Sequence, residues 1–376
     1  MTEIEIGLSK RARCTYSLDD VALVPSRRTR DRSDVDTSWR IDAFTFDTPL
    51  IAAPMDSVMS PDTAIAFGKL GGLGVLNLEG LWTRYENPQP LLDEIISLTL
   101  QDSVAATRRM QEIYAEPIKA ELITERLKQI RDSGVIVAGA LTPQNTQEFY
   151  ETVVKAGVDL FVIRGTTVSA EHVSSNHEPL DLKKFIYELD VPVIVGGVAG
   201  FTPALHLMRT GAAGVLVGFG GGSSRTNRRG LGIQAAMATA IADVAEARSR
   251  YLDESGGRYV HVIADGELGR SGDLVKSLAL GADALMIGAP LARAEEAPGK
   301  GLYWGNEAHS VDFPRGIRTD VGTVGSLEEV LYGPSHHTDG TSNIMGAIRR
   351  SMATCGFTDL KSFQRSDLVL NGFHAE

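Results

Sequence analysis

Cysteine is nearly absent: Cys14 and Cys355 are the only two in 376 residues and lie far apart. A disulfide framework is therefore not expected, and a reducing compartment fits. Positive charge is also in deficit. The formal net charge of -11 argues against a general nucleic-acid binder, although it is compatible with a local basic site for a small anion. No uninterrupted apolar run reaches membrane-spanning length, and the start MTEIEIGLSKRAR lacks the apolar core of a secretory signal. We expect no membrane partner and a cytoplasmic location. Aromatic residues make up only 6%, against 39 glycines, a balance that favours alternating α/β structure with many tight connections. No Gly-x-Gly-x-x-Gly follows the first strand, which weakens the competing open, doubly wound sheet.

What is present is a repeated unit. PLIAAP (49–54), GLGVLNL (72–78), VIVAGAL (135–141) and DLFVIRG (159–165) are short apolar runs ending in Gly or another small residue. VPVIVGGV (191–198), AGVLVGF (213–219), YVHVIADG (259–266) and ADALMIGA (282–289) continue the series. Continuous runs, as opposed to alternation, indicate strands buried on both faces of a parallel sheet. Between them lie segments of helical spacing that open on Ser, Thr or Asp and stop at Gly, such as TPQNTQEFYETVVKAG. Eight such units predict a (β/α)8 TIM barrel. Residues 1–376 then form a single barrel domain, with a helical insertion near 81–132 and a long loop near 295–342.

In such a barrel the chemistry belongs to the residues just beyond each strand. Asp265 ends the seventh run, where a carboxylate can accept hydrogen bonds from vicinal ribose hydroxyls. Gly266, Glu267, Gly288 and Ala289 offer backbone N–H groups suited to a phosphate, though the same residues could serve only as turns. The sixth strand runs into GFGGGSSRTNRRG (218–230), where bare backbone, Ser223 and the arginines at 225, 228 and 229 favour an anion site. His336 and His337 have no carboxylate or cysteine at ligand spacing, so no metal site is expected.

Several longer segments resemble the IMP dehydrogenase and GMP reductase family. CTYSLDDVALVPS (14–26), PLIAAPMDSV (49–58) and GGLGVLNLEG (71–80) are similar to its N-terminal segment and first two strand ends. VGFGGGSSRTNRRGLGIQAAMATAIADV, VIADGELGRSGDLVKSLALGADALMIGAPLARAEEAPG and SMATCGF follow in family order. The likeness covers nearly the whole chain and is closest to a short bacterial subgroup lacking the CBS regulatory pair. It implies a purine nucleoside monophosphate as ligand, NAD or NADP as cofactor and a homotetramer, and it leaves potassium open. Met55, Gly222, Ser223, Asp265, Gly266 and Gly288 match family ligand positions, while Glu267 replaces a glycine, and Ala289 and Ala53 replace serines.

The departures concern the reaction. Arg225 falls where the family carries its cysteine nucleophile, and Asn227 where a threonine helps to activate water. A guanidinium stays protonated and cannot replace a thiolate. Arg164 stands where an aspartate contacts the nicotinamide riboside, and Gly196-Gly197 where the family has Gly-Asn. The flap's arginine–tyrosine pair has no clear counterpart in 300–325, Arg315 and Arg318 being nearest. The expected function is an IMP-dehydrogenase-related nucleotide binder. It is either an NAD(P)-dependent oxidoreductase working without the family's cysteine or a catalytically silent sensor or partner protein. An FMN-dependent barrel is the further alternative, because the last two strand ends also resemble the FMN phosphate site of α-hydroxyacid oxidases.

Overall fold

The computed structural model describes residues 3–175, 178–219, 227–312 and 318–371, apart from the side chains of Asn227 and Arg229. Gly222, Ser223, Arg225 and Arg315 lie outside the described residues. The apolar runs form eight strands: β1 (Leu50–Ala52), β2 (Val75–Asn77), β3 (Ala138–Leu141) and β4 (Leu160–Arg164), then β5 (Val193–Val198), β6 (Gly214–Val217), β7 (His261–Ala264) and β8 (Ala284–Ile287). They pair in parallel in the order β1-β8-β7-β6-β5-β4-β3-β2. The ring is completed by a parallel bridge between Ile51 and Leu73, just before β2. There Ala52 N donates to Leu73 O at 2.8 Å and Leu73 N to Leu50 O at 3.0 Å. The expected (β/α)8 barrel is what forms.

Helices return the chain from the end of each strand to the start of the next. After β1 comes α1 (Pro61–Lys69), started by Ser60, whose hydroxyl accepts from Thr63 N, with Pro61 pre-set for the first turn. The segment after β2 holds α2 (Gln89–Gln101), α3 (Ser103–Tyr114) and α4 (Ala120–Asp132). Next come α5 (Pro143–Lys155), α6 (Leu182–Glu188), α7 (Phe201–Met208), α8 (Met237–Glu254) and α9 (Ser271–Ala279). Beyond β8 the chain forms α10 (Ala289–Ala292), a strand pair Leu302–Tyr303 with Thr319–Asp320, and α11 (Leu327–Tyr332). Ser326 and Glu329 cap α11 reciprocally. Then α12 (Ile344–Thr354) packs beside α9 as the eighth barrel helix, followed by α13 (Leu360–Phe363).

The strand-start end of the barrel is closed. A hairpin of Trp39–Ile41 and Phe44–Phe46 precedes β1, with Trp39 and Ile41 buried. Trp39 Nε1 donates to His261 Nδ1 at the start of β7, at 3.3 Å. At the same end Asp283, buried just before β8, accepts from Arg248 Nη1, Val262 N and Tyr259 OH, each at 2.8 Å. Lys361 and Gln364 reach the same carboxylate from the C-terminal segment. One carboxylate thus joins β7, α8, β8 and the C-terminal turns. Removing it would leave a desolvated guanidinium and several donors unmet, at a cost of about 3 kcal/mol. Asp283→Ala should therefore lower the urea-unfolding midpoint sharply without changing ligand binding at the opposite end; an unchanged midpoint would refute this role.

Candidate functional site

Every strand ends on the same rim, so residues far apart in sequence meet there. A cavity of about 520 Å³ opens where β7 and β8 end. Gly266, Glu267, Gly269 and Arg270 line it after β7, and Gly288, Ala289 and Arg293 after β8. Gly266 has φ 150° and Glu267 φ 57°. A left-handed conformation costs a residue with a Cβ about 1 kcal/mol, which gives the physical reason a glycine suits position 267. Met55 folds under the other side: a Cβ at Gly288 would lie 3.3 Å from its Sδ and 3.5 Å from Ala53 Cβ.

The rim thus brings Gly266, Glu267, Gly288 and Ala289 together around one cavity, with Met55 packed behind Gly288 and outside its lining. Sequence reasoning missed other lining residues: Ser17 to Asp19 from the N-terminal segment, Gln234 before α8, and Tyr303 and Thr319 beyond β8. It also passed over Arg270 and Arg293, although both stand in the quoted strand-end segments. With Arg228 they put three arginines in the lining, set against the acidic Asp19, Glu267 and Asp273. Arg293 is held in part by its Nη1 donating to Gly269 O at 2.8 Å. Of the glycine-rich loop only Asn227 onward is described, a wide helical turn over Asn227–Leu231. The expectations for Gly222, Ser223, Arg225 and the Asn227 side chain lie outside the described residues.

Asp265 has a different neighbour from the one its position suggested. Its carboxylate, only 4% exposed, accepts from Arg164 Nε at 2.9 Å, and the Arg164 side chain is 20% exposed. Arg164 ends β4 and Asp265 follows β7, so the pair spans the ends of β5 and β6. Near those ends stand Gly196 and Gly197 within β5 and Gly218 just after β6, beside the buried side chains of Val198, Val217 and Phe219. A Cβ at Gly218, where φ is 112°, would fall 2.3 Å from Asp265 O; one at Gly197 would fall 1.8 Å from Gly218 O. Burial opposes the charge on Arg164, but Asp265, and Glu307 beyond it, outweigh burial and hold its pKa up. One oxygen of the expected ribose ligand is therefore committed to an arginine.

Comparison with known proteins agrees with this frame. Residues 15–311 match the IMP dehydrogenase / GMP reductase domain. The chain belongs to that family. It is 50% identical to an uncharacterized oxidoreductase of Mycolicibacterium smegmatis, over 98% of this chain and 99% of the other. To the inosine-5'-monophosphate dehydrogenase of Methanocaldococcus jannaschii it is 24% identical, over 94% of this chain and 92% of the other. The crystal structure of an IMP dehydrogenase/GMP reductase-like protein from Corynebacterium glutamicum superposes with a TM-score of 0.93 at 53% identity, covering 98% of both chains.

This family member carries a second polar cluster where β1 and β2 end. Asp56 is buried and accepts from Tyr114 OH at 2.7 Å, Leu81 N at 3.1 Å and Asn77 Nδ2 at 3.4 Å. A Cβ at Gly80 would fall 1.8 Å from its Oδ1, so only glycine fits beside it. Trp304 Nε1 donates to Tyr114 OH at 3.1 Å, and His309 stacks on the Tyr114 ring at 3.7 Å between centroids. Tyr114 belongs to the insertion after β2, and Trp304 and His309 to the segment after β8. One carboxylate therefore ties both segments to the rim. Burial raises the Asp56 pKa to about 6 against the donors that oppose it. Burial, reinforced by Arg84, lowers that of His309 to about 3. Among the described residues no three His, Cys, Asp or Glu side chains are grouped to hold a metal, and no helix is long and apolar enough to cross a membrane.

Two tests follow from this geometry. Arg164→Leu leaves Asp265 buried and unpaired and should destabilise the fold by about 3 kcal/mol, whereas the double variant with Asp265→Leu should recover most of that loss. Chemical denaturation checks it, and additive losses would exclude the coupling. His309 favours the folded state above its unfolded pKa, and that contribution is lost as pH falls from about 6.5 towards 3. Asp56 works in the opposite sense: its contribution is full below about 4 and lost as pH rises through about 6. His309→Phe keeps the ring stack and removes the titrating group. Its melting temperature should fall several degrees less than that of the parent between about pH 6.5 and pH 4, measured by calorimetry.

Proposed function

We propose that the rim cavity binds a purine nucleoside monophosphate, and that binding, not cysteine-dependent redox turnover, is what this family member retains. The observation that carries the reading is the convergence of Gly266, Glu267, Gly288 and Ala289 on a cavity also lined by Arg228, Arg270 and Arg293. Bare backbone and guanidinium groups suit a phosphate dianion. Family membership supports the purine end of the ligand.

Among the described residues neither cysteine lines the rim cavity. Cys355 is buried, and burial pushes its thiol pKa up. It follows α12, whose start lies beside that of α9, where Ser271 N donates to Gly340 O. Cys355 is thus carried about 16 Å along the helix, away from the rim. Cys14 follows an antiparallel strand pair, Glu3–Gly7 with Lys10–Arg13, and precedes Tyr16, whose backbone N–H donates to Thr239 Oγ1 near the start of α8. With Arg225 at the position where the family resemblance places the nucleophile, that position offers no thiolate on which a covalent purine adduct could form. The residues present also do not fit an oxidised nicotinamide at the end of β4, because Arg164 brings a positive charge towards a cationic ring.

The test is direct. Thermal-shift titration with IMP, XMP and GMP should raise the melting temperature for at least one of them, since a ligand bound only to the native state stabilises it. No shift with any of the three would sink the nucleotide reading. NADH formation from IMP and NADPH loss with GMP should both stay below about one turnover per second. A yellow purified protein absorbing near 450 nm would point instead to a bound flavin.

A further inference from the structure

We propose that a second cavity, away from the rim, binds a small oligophosphate: a short chain of phosphates, free or carried by a nucleoside. The cavity measures about 560 Å³ and lies between α6, the turn from α7 into β6 and the turn from α8 into β7. It shares no lining residue with the rim cavity, so the inference stands independently of the nucleotide reading above.

Charge sets this cavity apart. Four cations line it, Lys183 and Lys184 from α6, Arg209 after α7 and Arg258 before β7, against the single carboxylate of Asp181. The chain as a whole carries a net charge of -11. Asp181 is already engaged as the cap of α6, accepting from Lys184 N at 3.0 Å. Arg209 is held by Glu254, its Nε and Nη2 each donating to a carboxylate oxygen at 2.8 Å. Among the described residues no ion pair includes Lys183, Lys184 or Arg258.

Surface lysines often mark no more than a solvated helix face, each charge extending into water. Here, however, cations from three separate segments converge on one concavity, and one of them is held in place. Gly211 has φ 99°, a conformation that suits glycine, and Arg258 lies across it. Arg258 Nη2 donates to Gly211 O, and a Cβ at Gly211 would stand 3.6 and 3.7 Å from its two terminal nitrogens. The turn thus fixes a guanidinium at the cavity before any ligand arrives, which lowers the ordering cost of binding. Unpaired cations gathered in one place repel one another, and a compact polyanion relieves them together. A cavity of this volume has room for several phosphates, and cations from three segments suit several better than one. Tyr187, on the same lining and 90% exposed, offers a bare ring face for a base to stack on.

The experiment is isothermal titration calorimetry of the full chain with tripolyphosphate, ATP and inorganic phosphate, at low salt and without magnesium. Tripolyphosphate and ATP should each bind with a Kd below about 1 mM, and about tenfold or more tighter than inorganic phosphate. The double variant Lys183→Gln/Lys184→Gln should weaken both about tenfold. Both lysines are exposed, so its melting temperature should match that of the parent. Tyr187→Ala separates the two sources of the phosphate chain. Weaker ATP binding with unchanged tripolyphosphate binding assigns the site to a nucleoside oligophosphate; equal binding of the two in parent and variant assigns it to the bare chain. Affinities unaltered by the double lysine substitution, inorganic phosphate binding as tightly as tripolyphosphate, or no binding of either oligophosphate below about 1 mM would each overturn the inference.

Discussion

The closure of the parallel ring between β1 and β2 is the constraint on which everything at the rim depends. A parallel sheet left open would expose the backbone groups of β1 and β2 at its two edges. The bridge between Ile51 and Leu73 satisfies those groups within the chain. Closure also fixes direction. All eight strands point the same way, so their last residues meet on one circle, and residues separated by a hundred positions in sequence become neighbours. Arg164 and Asp265 are such a pair. Neither is close to the other in sequence, yet each is the residue at, or just past, the end of its own strand.

That geometry lets one altered side chain change what the rim can do without disturbing the barrel. The rim cavity is built from backbone at 266, 267, 288 and 289, which a change of side chain elsewhere does not move. The charge facing the end of β4 is a different matter, because it comes from one residue. A carboxylate there would attract a cationic ring, whereas a guanidinium repels it and seizes Asp265 instead. Side chains at Gly197 or Gly218 would clash with backbone, at Gly218 O and Asp265 O respectively.

Much of this was legible before any coordinates. Buried parallel strands must be apolar on both faces, so the eight runs stand out in the sequence, and each is a strand. Strand ends are likewise marked by glycines, which is why the backbone of the rim cavity could be named. The partners of charged side chains could not. Asp265 reads as a free ribose ligand because nothing in one dimension links it to residue 164. The Asp56 cluster left no signal at all: Tyr114 looks like an ordinary residue of a polar helix, and Trp304 and His309 look like loop. Their meeting depends on how two non-barrel segments fold back over the rim, a three-dimensional fact without periodicity to announce it.

The Asp56 cluster also bears on why those two segments persist at such length. Segments of this size cost conformational entropy to order, and a barrel does not require them. Here they are tied down at their point of closest approach to the rim by a carboxylate that would be expensive to bury alone. Asp56 is tolerable only because Tyr114 and the Leu81 backbone donate to it, and Tyr114 is itself fixed by Trp304 and His309. Losing either segment would strip donors from a group that cannot reach water. The insertion after β2 and the segment after β8 therefore stand or fall as a unit. Glu307, which lies between Trp304 and His309, is held near Arg164 by the same clasp. The electrostatics of the rim are in this way coupled to the packing of both segments, and a change that loosens one segment should be felt by the Arg164–Asp265 pair.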